Sequence, residues 1–223
     1  MLNVFRAAIV MAAALLPSVA GAQVTLSPAE PTRWDTAVTI GWLGGNKSDI
    51  GPGWNDWYDA ASVDASAGYF LTPHLKLGLG VGTGAAAAMT IVEPAPLPGD
   101  GFPYYRSREH RFRATSMTGG ASYQFFDNAW FHPFLGAGVA VIHERERAPF
   151  EAAHTIFRDP QTRVLLPPLP AIDTTTTTVH PYGSVGFKAY ASERVFVRTD
   201  LRITASTERA RSAEWRAGVG VDF

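Results

Sequence analysis

The sequence predicts an all-β fold: a closed, antiparallel, eight-stranded transmembrane β-barrel with short periplasmic turns and long extracellular loops. Three observations predict it. Segment after segment alternates apolar residues with small or polar ones at a period of two, as a strand with two unlike faces requires. The connections between those segments alternate short and long. After residue 22, no apolar run is long enough for a helix to cross a bilayer.

Composition narrows the function classes. The 223 residues are 46% hydrophobic and 17% charged, with a formal net charge of −1. That length fits one domain. The near-neutral balance gives no long-range attraction to nucleic acid, and no nucleic-acid partner is expected. With no cysteine, disulfides and thiolate chemistry are excluded.

The opening MLNVFRAAIVMAAALLPSVAGAQ has the three parts of a secretory signal. Arg6 precedes an apolar run over residues 7–16, followed by Pro17 and the small residues Ala20, Gly21 and Ala22. The run is shorter than a membrane anchor needs. The expected organisation is a signal peptide over 1–22, a periplasmic segment over 23–35 and a barrel domain over 36–223.

The first strand, near 38–43, is the weakest, with Val38, Ile40 and Trp42 on one face. The second sets Val63, Ala65, Ala67, Tyr69 and Leu71 against Asp64, Ser66 and Gly68. The third sets Leu75, Leu77, Leu79 and Val81 against Lys76, Gly78, Gly80 and Gly82. The fourth sets Met117, Ala121, Tyr123 and Phe125 against Ser116, Thr118, Gly120 and Ser122. In the fifth, Phe131, Leu135, Ala137, Val139 and Val141 oppose Gly136, Gly138 and Ala140. The sixth sets Val179, Val185 and Phe187 against His180, Tyr182, Gly186 and Lys188. The seventh sets Val195, Val197, Leu201 and Ile203 against Phe196, Arg198, Asp200 and Arg202. The last sets Trp215, Ala217, Val219, Val221 and Phe223 against Arg216, Gly218, Gly220 and Asp222. An even strand number suits a closed exported barrel. Short turns fall at 72–74, 127–129 and 192–194, and long connections at 44–60, 83–111, 144–178 and 205–212.

The apolar faces point outward to lipid. Glycines share the polar parity, and the tight interior of an eight-stranded barrel needs them beside long side chains. The same parity carries Asp64, Lys76, Lys188, Arg198, Asp200, Arg202, Arg216 and Asp222, which read as a paired charge network filling the lumen. Tyr69, Tyr123, Phe125, Phe131 and Phe223 gather at the short-turn end, and Trp42 and Trp215 at the other, as two aromatic belts would.

The stretches HPFLGAGVAV, HPYGSVGFKAY, RVFVRTDLR and the closing WRAGVGVDF resemble the strand motifs of the small OmpA-like outer-membrane β-barrel family. The resemblance covers about 36–223. It implies an eight-stranded barrel in a cell outer membrane, and it implies that Phe223 is part of the signal read by the barrel-assembly machinery. No peptidoglycan-binding domain follows the barrel, so wall tethering is not implied.

Readable chemistry is sparse. His132 and His180 share the inward parity but begin strands at opposite rims, about a membrane thickness apart, so they cannot share a metal. No HxxxH or HExxH spacing occurs. No cofactor or metal is expected. Ser107, Glu109 and His110 are neighbours in a predicted loop, and sequence neighbours rarely form a triad; no catalytic residue is assigned.

The sharpest local expectation concerns arginines at the loop rim. A turn centred on Asn128 pairs Arg113 with His143 and Arg111 with Arg145. Arg111, Arg113, Arg145 and Arg147 then share the outward parity on neighbouring strands, where like charges repel unless an anion lies close. Lipopolysaccharide phosphates suit arginine's fork of donors. The alternative is a solvated rim neutralised by Glu109, Glu144 and Glu146. The loops over 83–111 and 144–178, rich in proline and apolar residues, are candidate sites for an extracellular ligand. The function expected is structural, adhesive or envelope-integrity work without catalysis. A narrow pore or small-molecule route is the competing class, and a lipid A-modifying enzyme the third.

Overall fold

The computed structural model describes residues 33–46, 57–94, 104–126, 130–157, 160–161, 163–206 and 210–223. The expected signal peptide, most of the segment over 23–35 and the turn at 127–129 lie outside them. The described residues form eleven strands: β1 (Trp34–Asn46), β2 (Trp57–Phe70), β3 (Leu75–Gly84), β4 (Ala87–Pro94), β5 (Tyr105–Gln124), β6 (Phe131–Ala148), β7 (His154–Phe157), β8 (Arg163–Leu166), β9 (Ile172–Tyr190), β10 (Val195–Ala205) and β11 (Ala210–Asp222). Eight of them close a ring in the order β1, β2, β3, β5, β6, β9, β10, β11 and back to β1, every pairing antiparallel. β1 begins at Trp34, two residues before the boundary expected from sequence.

Period-two alternation sorts side chains as a closed barrel demands. Ile40, Leu79, Met117 and Val219 are each at least 60% exposed on the outer face. Asp35, Ala37, Thr39, Asp64 and Lys76 are buried inside. Apolar residues outside and charges inside is the reverse of a soluble barrel, and it is stable only with lipid around it. Trp42 lies directly opposite Trp215 at one end of the belt. At the other, Trp34 packs 4.8 Å from Tyr69, Tyr123 5.2 Å from Phe125 and Phe131 5.2 Å from Phe187.

The inside is filled at close quarters. Gly120 pairs with Gly138 across β5 and β6. A Cβ on Gly138 would strike the Gly119 carbonyl and the Gly120 Cα, and would lie 2.8 Å from the Tyr182 ring. The glycine pair is the seat of Tyr182.

The two longest predicted loops are largely strand. Of 83–111, β3 keeps the first two residues, β4 takes 87–94 and β5 begins at Tyr105. Of 144–178, β6 runs on to Ala148, β9 begins at Ile172, and β7 and β8 pair between them. The connections over 44–60 and 205–212 are likewise shortened, because β1, β2 and β11 run further than expected. At the long-connection end, β4, β5, β6 and β9 therefore rise above the rest as a tall four-stranded sheet. Between β3 and β4 the register against β5 slips by one residue: Thr83 pairs with Thr115, but Ala87 with Phe112. This bulge switches the inward parity from even in β3 to odd in β4.

Candidate functional site

Three groups of residues carry the barrel's polar chemistry. The first fills the lumen. Near the short turns, Asp35 and Asp222 lie directly opposite on the β1–β11 seam. Like charges so placed repel, and Lys188 from β9 bridges them, its Nζ 3.1 Å from Asp35 Oδ2 and 3.0 Å from Asp222 Oδ1. Lys76 adds a 2.7 Å contact to Asp35. The Tyr190 hydroxyl donates to Asp222. Lys188 also sits 3.8 Å from the Phe196 ring centroid, a cation–π contact in a dry setting.

Higher in the lumen, Asp200 accepts from Arg198 Nε at 2.8 Å and Arg216 Nε at 2.9 Å. Arg216 Nη1 lies 3.4 Å from Asp64. Arg202 is held more loosely, 3.7 Å from Asp64 and 3.8 Å from Glu214, with its guanidinium 4.9 Å from the Tyr182 ring. Ser62 Oγ donates to Glu214 at 2.6 Å. Asp35 and Glu214 belong to this network and were missed from sequence: one falls in the expected periplasmic segment, the other one residue before the alternation was read. Cavities of about 60 and 50 Å³ remain, and Arg202 and Thr118 line both. Each has room for a handful of waters.

The second group faces outward on the tall sheet. The actual register pairs Arg113 with Arg145 and Arg111 with Arg147. Thr115, not Arg113, lies opposite His143. The expected pairing was two residues out, which leaves every face unchanged. All four arginines are exposed. Arg145 grips Asp173 with two hydrogen bonds of 2.7 and 2.6 Å, and Arg147 reaches the same carboxylate at 3.4 Å. Arg145's hydrogen bonding holds the Asp173 carboxyl below the usual carboxylate value. Arg111 pairs with Glu109 at 2.8 Å. Glu144 and Glu146 do not neutralise this patch; their even parity turns them inward.

The third group lies on the inner face of the same sheet. Phe112 and Ile91 pack with Tyr58, Ala60 and Ala87 into an apolar cluster. Beyond it His110, 1% exposed, is held between two carboxylates, Nδ1 2.6 Å from Glu146 and Nε2 2.5 Å from Glu93. Arg108 donates to Glu93 and to the carbonyls of Pro149 and Pro170; Arg106 donates to Glu151 and to the carbonyls of Ala152 and Pro167. These contacts pin the segment between β6 and β9 against the sheet, and Leu166 within it is buried. Ser107 and Glu109 are on the outer face of β5 and His110 on the inner one, so the three do not converge. His143 faces outward, its Nδ1 3.0 Å from Thr177 Oγ1. Among the described residues, no group of three or more His, Cys, Asp or Glu side chains is arranged to hold a metal ion.

No protein-family model matches the chain, and no curated protein matches it in sequence. Solved structures do match in fold. Neisserial surface protein A aligns with 85% of this chain and 97% of its own, at 16% identity and a TM-score of 0.53. OprG of Pseudomonas aeruginosa aligns with 86% of this chain and 97% of its own, at 10% identity and a TM-score of 0.49. The attachment invasion locus protein Ail of Yersinia pestis aligns with 86% and 99%, at 10% identity and a TM-score of 0.47. With its closed ring, apolar exterior and charged interior, the chain has the fold of the eight-stranded outer-membrane β-barrels.

Proposed function

We propose that this chain is a non-catalytic barrel of the cell outer membrane, exported by a cleaved signal peptide over 1–22 and inserted by the barrel-assembly machinery, with Phe223 in its recognition signal. Its work is envelope integrity and surface adhesion, done by the tall sheet. Its partners are outer-membrane lipid and lipopolysaccharide. The observation that carries this reading is the arginine ladder. Two rows of opposed arginines face outward just above the apolar belt, where lipopolysaccharide phosphates lie. Glu109 and Asp173 are the only carboxylates paired with them among the described residues. The remaining positive charge, and the fork of donors on each guanidinium, suit phosphate.

A filled lumen argues against the pore alternative. Placing Ser107 and His110 on opposite faces of β5 argues against the enzyme alternative.

The test is the lipopolysaccharide content of the purified barrel. Arg111→Glu with Arg113→Glu leaves the Arg145–Asp173 pair in place. An arginine near an anionic lipid surface contributes about 1 kcal/mol, so the double reversal weakens retention by roughly thirtyfold or more. Heat-modifiable gel mobility should be unchanged. Undiminished lipopolysaccharide in the variant overturns the lipid assignment, and recovery of the wild type from the soluble periplasm overturns the location.

A further inference from the structure

The tall sheet has an open edge. β9 pairs with β6 along its whole length, from Ala148 opposite Ile172 to Phe131 opposite Ala189. Its pairing with β10 is shorter and ends at Tyr182 opposite Thr204. The next residue of β9 toward the tall end is Pro181, which has no N–H to donate, so the β9–β10 ladder stops there. Beyond it no described strand pairs with that side of β9. Thr174, Thr175, Thr176 and Thr177 are exposed on both parities, as a strand with one neighbour and two wet faces would be.

Backbone direction along this strand is fixed by two hydrogen bonds at its base. The Tyr190 N–H donates to Trp130 O beside β6, and the next N–H, of Ala191, donates to Val195 O beside β10. In an antiparallel ladder this alternation continues residue by residue, and neither register is interrupted within β9. Even residues of β9 therefore bond to β6. Asp173, Thr175, Thr177 and Val179 turn their N–H and C=O groups to the open edge.

Exposed edges are usually guarded by lysine, proline, a bulge or an inward charge. This one carries none of these above Pro181. Its single charge, Asp173, is drawn onto the sheet's outer face by Arg145 and Arg147. What remains is a run of threonines, β-branched and neutral, with high strand propensity and hydroxyls that keep it soluble.

We propose that the edge of β9 over 172–180 is a docking site for an extended peptide segment of another protein, added as an antiparallel strand. The edge is about 30 Å long. Recognition is through the main chain, as in strand addition generally. The neighbouring side chains, Thr175 and Thr177 on one face and Thr174, Thr176 and Thr178 on the other, select an uncharged strand rich in threonine and valine. A second copy in the same membrane does not fit. Copies related by an axis along the membrane normal would place their β9 strands in the same vertical sense. Strands tilted by about 35–45° would then cross at about 70–90°, and no ladder forms. The proposal rests on reading the tall end as the extracellular one.

The experiment is residue-resolved amide exchange on the full chain in nanodiscs holding one barrel. The probe is a capped nine-residue peptide of alternating threonine and valine. Without peptide, the amides of Thr175, Thr177 and Val179 exchange fast and those of Thr174, Thr176 and Thr178 slowly. Peptide at about nine times its Kd slows the odd amides about tenfold and leaves the even ones alone. The same peptide N-methylated at alternate residues has no effect. Thr175→Pro abolishes peptide binding while the even amides stay slow, because it removes a donor at the edge and none from the β6 ladder. Odd amides already slow without peptide would mean that the chain itself covers the edge. Odd amides unmoved by peptide would mean that it does not accept a strand. Either result overturns the proposal. Protection that appears only when a nanodisc holds two barrels would assign the edge to a second copy and overturn it too. Lipopolysaccharide content and membrane fractionation are unaffected by Thr175→Pro, so failure here is separable from failure of the envelope reading.

Discussion

Lys188→Met removes the one cation that, among the described residues, touches both carboxylates of the β1–β11 seam. Lys188 is 1% exposed, its Nζ about equally far from Asp35 and Asp222. Breaking a buried ion pair by deleting one partner costs about 3–5 kcal/mol, because a charge is left uncompensated. Here each carboxylate keeps one partner, Lys76 for Asp35 and the Tyr190 hydroxyl for Asp222. The low end applies, about 3 kcal/mol, or roughly a 150-fold larger unfolding constant. The assay is urea unfolding of the refolded barrel, read by the fraction that keeps folded mobility on an unheated gel. Adding Asp222→Asn to Lys188→Met should recover much of the loss, since the repulsion goes with the second charge. A loss below about 1 kcal/mol, with no recovery in the double variant, would mean that water already screens this cluster, and would refute the dry-plug account.

Two further outcomes test other parts of the molecule. Gly138→Ala should lower barrel stability by about 1–3 kcal/mol, because its Cβ meets backbone that cannot shift; Gly183→Ala, with nothing within 4 Å of its Cβ, should be neutral in the same melting experiment. Arg108→Ala removes the contacts to Glu93 and to the Pro149 and Pro170 carbonyls, so limited proteolysis should cut within residues 149–170 while the barrel core survives, whereas the wild type resists at that segment.

The barrel was legible because lipid on one side and a narrow lumen on the other force opposite chemistries onto alternate residues. Leu75 to Val81 shows this plainly, with leucine or valine alternating with lysine or glycine. The tall sheet was not legible, because water bathes it and hydropathy has no contrast there. In YRSREHRFR, residues 105–113, inward Arg106, Arg108 and His110 alternate with outward Tyr105, Ser107 and Glu109. The period is two, yet both sets are mostly polar. The threonine run of β9 has no alternation at all. Faces are legible where pairings are not: a two-residue shift in register keeps parity, so the arginine ladder has its outward face in either register while every partner in it differs.

The lumen charges have a bearing on how the chain enters lipid. Asp35 and Asp64 with Lys76 leave the β1–β3 arm one charge negative. Lys188, Arg198, Arg202 and Arg216 with Asp200, Glu214 and Asp222 leave the β9–β11 arm one charge positive. The inward face of β6 adds Glu144, which lines the same cavity as Arg202 and Glu214. Neither arm is neutral alone, and an unmatched charge in hydrocarbon is costly. A half-built sheet is thus a poor membrane guest. Closing the barrel brings Lys188 to Asp35 and Arg216 to Asp64, so each arm supplies a countercharge that the other lacks.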